Sequence, residues 1–268
     1  MSEKEAIEQS DTPITAQSLA SDLRTLGVER GDILLIHSSL SALGWVCGGA
    51  PAVIDALRDV VTEKGTLVMP THTGYTDPAD WSNPPVPDEW EENIRESMPP
   101  YRPAVTPTRG MGVIPECFRT YPETLRSDHP AVSFAAWGAA AESIVTDHAL
   151  DYNLGENSPL ARVYEHDGSV LLLGVGHDGN TSLHLAEHRA AIAKATVENG
   201  GPILDDGERI WAEYETIEES TDDFVELGAD FEQTSEVMSG TVGTATATLM
   251  NQRKLVDFAV EWFETNRQ

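Results

Sequence analysis

The chain is poor in cysteine, in lysine and in long apolar runs, and each shortage excludes something. Two cysteines, Cys47 and Cys117, stand among 268 residues without CxxC or other ligand spacing. That excludes a disulfide framework and a cysteine-based zinc module. No apolar run approaches the ~20 residues of a membrane-spanning helix. The opening stretch, Met1 to Thr12, is acidic and polar, so it reads as neither a secretory signal nor a transit peptide. A cytoplasmic protein is the expectation. No Gly-Lys-Ser/Thr follows a glycine loop, so there is no Walker motif.

Basic residues are also scarce: 17 Lys+Arg, only four of them lysines, against 45 Asp+Glu, a formal net charge of −28. Such a field repels nucleic acid and anionic membranes, and neither is an expected partner. It suits either a polycationic substrate or a protein adapted to high salt. The acids run from Glu3 to Glu264 instead of forming one block, which favours the salt-adapted reading. Net charge then says little about the ligand.

What is present is an alternation of buried-strand and helix signals. Thr15 caps a helix striped by Leu19, Leu23 and Leu26 and stopped by Gly27. Asp32–Ser38 and Gly65–Pro70 are apolar strand runs. Between them, Ser38–Gly49 is a serine- and glycine-rich loop leading to a helix with Pro51 in its first turn, a way to offer N–H groups to an anion. Taken alone it is equally a plain connecting loop. Gly74–Thr108 has no clear period and holds eight of the chain's 16 prolines; within it only Trp90–Met98 suits a short helix. Stretches this long are usually lids or binding loops. Further helices are expected at Ala140–His148, after Ser158-Pro159, near Asp222–Phe231 and at Asn251–Thr265. Arg209–Thr216 is β-like, and Gly240–Met250 alternates small and apolar residues. The alternation predicts an α/β fold with a mainly parallel central sheet, one domain carrying a lid-like insertion at 74–108.

The chemistry concentrates in Val170–Arg189. An apolar strand runs to Val175, Gly174, Gly176 and Gly179 break it, and Asn180 or Thr181 can cap a helix. On that helix His184, Glu187 and His188 share a face. Two other patterns overlap there. His184-Leu-Ala-Glu-His188 spells H-x-x-E-H, a zinc-hydrolase pattern. Gly174–Gly179 spells GxGxxG, a dinucleotide fingerprint. Solvated or core histidines are the plain reading.

Six stretches then agree in order and spacing: HSSLSALGWVCGGAPAVIDAL, GTLVMPTHT, PTRGMGVIPECF, RSDHPAVSF, GENSPLARV and LLLGVGHDGNTSLHLAEH. Together they resemble the aminoglycoside N3-acetyltransferase family from about Ala16 to the terminal helix. The resemblance implies a three-layer α/β/α sandwich that transfers acetyl from acetyl-coenzyme A to an amine. It implies that Ser38, Ser39, Leu40 and Ser41 line the coenzyme channel. Thr71, Thr73, Arg109, Gly110, Met111, Gly112, His129 and Phe134 would flank the pantetheine and acetyl group. His184 is the expected base, with Glu187 beside it, and no metal is expected. Tyr75, Trp81, Glu156 and Asp178 are the expected acceptor contacts; His177 carries no role. A homodimer is left open.

The chemistry agrees with those roles. An amine attacks a thioester only when unprotonated, so a group titrating near neutrality must take its proton. A carboxylate fixes the imidazole tautomer. Glycine-loop N–H groups, or Thr71 and Thr73, could serve the oxyanion. Neither cysteine has an evident histidine partner, which favours direct transfer over an acyl-enzyme. The alternatives are a zinc metallohydrolase at 184–188 and a silent coenzyme A-binding module.

Overall fold

In the computed structural model, residues 7, 12–82, 84–234 and 237–267 are described. Apart from Ile7 and Thr12, the acidic opening stretch lies outside them.

A seven-stranded sheet has the order β3-β4-β2-β1-β5-β9-β8. Its strands are β1 (Ile33–Ser38), β2 (Thr66–Pro70), β3 (Leu125–Arg126), β4 (Phe134–Gly138), β5 (Ser169–Leu173), β8 (Met238–Val242) and β9 (Ala245–Asn251). At the centre β2 and β5 both run parallel to β1, while β4 and β9 are the two strands of opposite direction. The sheet is thus mainly parallel in direction, with antiparallel pairing toward both edges.

The apolar runs of the central strands follow from burial on both faces. Leu34, Ile36, Leu67, Met69, Leu171 and Leu173 point to one core, and Leu35, Val68, Val170 and Leu172 to the other. The first core is covered by α1 (Ala16–Leu26), α2 (Gly49–Val61) and α4 (Val113–Phe118). The second is covered by α5 (Ala141–Val145), α6 (Pro159–Glu165), α7 (Ser182–Arg189), α8 (Phe224–Thr234) and α9 (Gln252–Asn266). Three layers, α/β/α, result. In α1 the expected stripe is buried, Thr15 and Ser18 form a capping box, and Gly27 closes the helix at φ 112°. Only glycine adopts that left-handed conformation without steric cost.

Outside the main sheet stands a two-stranded ribbon, β6 (Thr196–Asp205) with β7 (Glu208–Ile217), turning at Asp206 and Gly207 with φ of 49° and 86°. Two consecutive positive φ values suit a tight hairpin turn. Only the second strand carries a strand-like pattern in the sequence. Gly200, Gly201 and Pro202 in the first are poor strand formers, and they hid it.

The segment 74–108 leaves the end of β2, holds the short helix α3 (Glu91–Ser97) where a helix was expected, and is tied down on two sides. Arg95 forks onto Asp77 at 2.6 and 2.8 Å. Arg209 of the ribbon donates to the carbonyls of Met98 and Arg95, and the Tyr101 amide donates to Pro202 O at 2.7 Å. On the other side, Arg126 donates to the carbonyls of Pro103 and Thr106. A side chain at Gly201 would meet the Tyr75 carbonyl at 2.7 Å, so the same glycine that weakens β6 lets the segment approach it.

Candidate active site

The central parallel strands end at one edge of the sheet, where α/β folds place ligands. From that edge β1 passes through Ser38–Ser41 and a loop with Gly44, Gly48 and Gly49 at φ 86°, 91° and 61° into the N-terminus of α2. Gly110–Val113 faces it across a cleft of about 790 Å³, lined also by Trp45 and Val46. The loop and Gly110–Met111–Gly112, far apart in sequence, are brought together at this cleft. Ser38 Oγ is buried there without a partner. A helix start and an unpaired hydroxyl beside one cleft suit a polar, anion-bearing ligand.

Thr71 and Thr73 do not face this cleft with free donors. Thr71 Oγ1 donates to Ser133 O at 3.1 Å, and Thr73 Oγ1 donates to Pro130 O at 2.5 Å. Their amides bind Ser133 O and Ala131 O. These threonines pin residues 130–133 to the end of β2, and their hydroxyl protons are committed to carbonyls. His129 likewise has its ring nitrogens engaged with backbone. It is fully buried, with Nδ1 accepting from the amides of Ala131 and Val132 and Nε2 against Leu150 O. Burial, with His148 close by, pushes it well below the usual imidazole range. Phe134 is buried in the core, with its ring 5.3 Å from that of His72.

Arg109 binds the His72 carbonyl through its amide, at 2.8 Å, and sets its guanidinium 5.7 Å from the Trp81 ring. Tyr75 donates its amide to Thr73 Oγ1, and Trp81 Nε1 donates to Thr76 Oγ1. Glu156 is ion-paired with Arg189 beside a separate depression of about 590 Å³ near Tyr152 and His188. Asp178 is exposed on a 3₁₀ turn, His177–Gly179.

The helix α7 starts where Asn180 Oδ1 accepts from the Ser182 amide at 3.2 Å. On it, His184 Nδ1 lies 2.5 Å from Glu187 Oε2. The other carboxylate oxygen accepts from Arg267 and from the Ser220 amide. Burial opposes ionisation of Glu187, yet the His184 and Arg267 contacts outweigh it and hold the carboxyl below its ordinary value. With Nδ1–H donated to Glu187, Nε2 is the ring nitrogen left to accept a proton.

Two further histidines flank this pair, and the sequence reading passed over both. His37, next to last in β1, sets Nε2 3.4 Å from Thr181 Oγ1. Burial, then His184 and His177, push it down to about 3. His72, just beyond β2, is pushed down to about 3 by burial and by His184, and its Nε2 is buried without a partner. Position was the available signal, since both sit where parallel strands end. Both stay neutral near neutral pH.

The H-x-x-E-H donors diverge. His184 turns to Glu187, while His188 Nε2 lies 3.3 Å from Glu219 Oε1. Among the described residues no three His, Cys, Asp or Glu side chains converge on one point. The cleft opens on Ser38–Gly49 rather than on Gly174–Gly179, so the GxGxxG spacing does not coincide with it.

Comparison with known proteins completes the picture. Residues 35–264 match the aminoglycoside 3-N-acetyltransferase family model. The prophage-derived aminoglycoside N(3')-acetyltransferase-like protein YokD of Bacillus subtilis is 48% identical over 265 residues, covering 98% of this chain and 97% of that one. Aminoglycoside N(3)-acetyltransferase VII of Streptomyces paromomycinus is 39% identical over 279 residues, covering 98% and 96%. The structure of AAC-IIIb with CoASH matches with a TM-score of 0.85 at 34% identity, covering 95% and 97%. The cleft, the histidine–carboxylate pair and these likenesses agree, and the chain belongs to the aminoglycoside 3-N-acetyltransferase family.

Proposed function

We propose that this protein transfers acetyl from acetyl-coenzyme A directly to an amine of an aminoglycoside or similar polyamine, with His184 as general base. The observation that carries the reading is the His184 Nδ1–Glu187 Oε2 contact of 2.5 Å at the ligand edge of the sheet. The amine nitrogen attacks the thioester carbonyl carbon while His184 Nε2 takes its proton. Glu187 holds the tautomer and stabilises the imidazolium. The intermediate collapses, the carbon–sulfur bond breaks, and the thiolate leaves with a proton available from His184. Ser38–Ser41, the glycine loop and Gly110–Gly112 hold the coenzyme. Thr71 and Thr73 spend their hydroxyl protons on carbonyls, so the oxyanion falls to glycine-loop N–H groups or the unpartnered Ser38 hydroxyl.

The segment 74–108 acts as a lid over the acceptor side of this single domain. Its acidic residue Asp80 and the buried, unpartnered Tyr214 hydroxyl of the ribbon suit a cationic, hydroxyl-rich acceptor. The test is a turnover screen with acetyl-coenzyme A against aminoglycosides and other polyamines in molar KCl, reading released thiol. Thiol release that requires an acceptor is expected. Coenzyme binding by calorimetry with no acceptor-dependent release across the panel would instead identify a silent binding module.

A further inference from the structure

We propose that Arg267, which closes the last helix, is a positioning residue for acetyl transfer, fixing the Glu187 carboxylate against His184. The proposal rests on the assignment of His184 as the base. Arg267 caps α9 with its amide on Phe263 O at 2.8 Å and lays its guanidinium 4.0 Å from the Phe263 ring centre. Four of its contacts then spend the fork. Nε and Nη2 grip the two oxygens of Asp223, Nη2 also donates to Ser220 O, and Nη1 donates to Glu187 Oε1. The planar guanidinium cannot turn without breaking several of these bonds together. Glu187, 1% exposed, therefore has one oxygen anchored on Arg267 and the Ser220 amide and the other left for His184.

The charges explain why such an anchor is needed. A buried carboxylate without a cation protonates or turns away, and a neutral Glu187 could not stabilise the imidazolium. Arg267 alone would cancel the negative field that His184 needs. Asp223 restores it, so Glu187, Arg267 and Asp223 together carry one negative charge beside the base. The other titratable groups facing this cluster are His37 and His72 against His184, His188 on the same helix, and Lys194 against Glu187. Both flanking histidines are pushed down to about 3 and stay neutral from about pH 6 to 9, so they do not set a pH limb there.

Removing the guanidinium makes the His184–Glu187 pair take up a proton at higher pH, whichever partner holds it. In Arg267→Met, kcat should fall about 10- to 100-fold through lost orientation. The KM for acetyl-coenzyme A should move less than about 3-fold, because the cleft at Ser38–Gly49 is untouched. The acid limb of kcat should shift to higher pH. Arg267→Lys, which keeps the charge but not the fork, should return the limb close to wild type and recover part of kcat. Melting curves and calorimetric coenzyme binding check folding, and Arg267→Lys carries the test if Arg267→Met does not fold. Wild-type kcat and an unmoved limb in a folded Arg267→Met enzyme would overturn the proposal. So would equal losses in both variants with the limb unmoved, which mark a purely structural arginine. His184→Ala is measured alongside: normal kcat there removes the base assignment itself, whatever Arg267 does.

Discussion

The two sides of the candidate site are built in opposite ways. The proposed coenzyme side, Ser38 to Gly49 with Gly110–Gly112, is backbone: short loops at strand ends, positive φ at glycines, and the start of a helix. The proposed acceptor side is side chains reaching across the sequence. There Arg95 braces segment 74–108 internally, while Arg209 ties it to the ribbon and Arg126 to the sheet edge. Backbone geometry suits a ligand that never varies. Ion pairs and aromatic contacts can be exchanged one at a time, so the acceptor side is where specificity can change without disturbing the coenzyme.

The largest expected effect that separates the two sides is on the backbone side. Gly48 sits at φ 91° in the cleft wall, a conformation that a β-branched residue adopts only with strain of roughly 1–3 kcal/mol. Gly48→Val should weaken acetyl-coenzyme A binding by about 10-fold or more in calorimetry, since 1.4 kcal/mol is tenfold in affinity. The acceptor KM should stay nearly unchanged. Equal damage to both constants would show that the sides are not separable.

Next in size is the converse. Trp81→Ala removes the ring that packs with Arg109 and bonds the Thr76 hydroxyl, loosening segment 74–108, so the acceptor KM should rise more than the coenzyme KM, by roughly 5-fold at most for a contact of ~1 kcal/mol. A larger rise in the coenzyme KM would move Trp81 to the other side of the site.

The smallest and broadest effect is that of salt. With a net charge of −28, the protein attracts a polycationic acceptor and repels the anionic coenzyme, both over a Debye length of ~30 Å at 0.01 M salt. Going to molar KCl should raise the acceptor KM and lower the coenzyme KM, each by about 2- to 3-fold as exposed charges are screened. The melting midpoint should rise over the same range, as the salt-adapted reading requires. A flat midpoint would assign the acidity to the substrate instead.

The sequence made legible what is local. Leu19, Leu23, Leu26 and Gly27 announce α1 because spacing and a glycine stop are both written within twelve residues. His184 and Glu187 could be paired because three residues on a helix bring side chains together. Partners contributed by distant segments were not legible. Arg267 reaches Glu187 across 80 positions, and no local pattern marks it. His37 and His72 look like strand-end residues until the sheet sets them beside α7. The partners of the Thr71 and Thr73 hydroxyls were not legible for the same reason: each is a carbonyl of residues 130–133, absent from the threonine's own motif. In β6, Gly201 and Pro202 answer to the close approach of segment 74–108, and Gly200 to that of the Trp211 indole, instead of strand propensity. There Asp206-Gly207 was the usable clue.

The account stands on His184 as the base that takes the amine's proton. The direct measurement is kcat for His184→Ala against the wild type between roughly pH 6 and 9, where an imidazole titrates, with an acceptor from the turnover screen. A fall of about 10²- to 10⁴-fold, with acetyl-coenzyme A binding in calorimetry unchanged, is the predicted result. A folded variant with near-normal kcat at any pH in that range would contradict it.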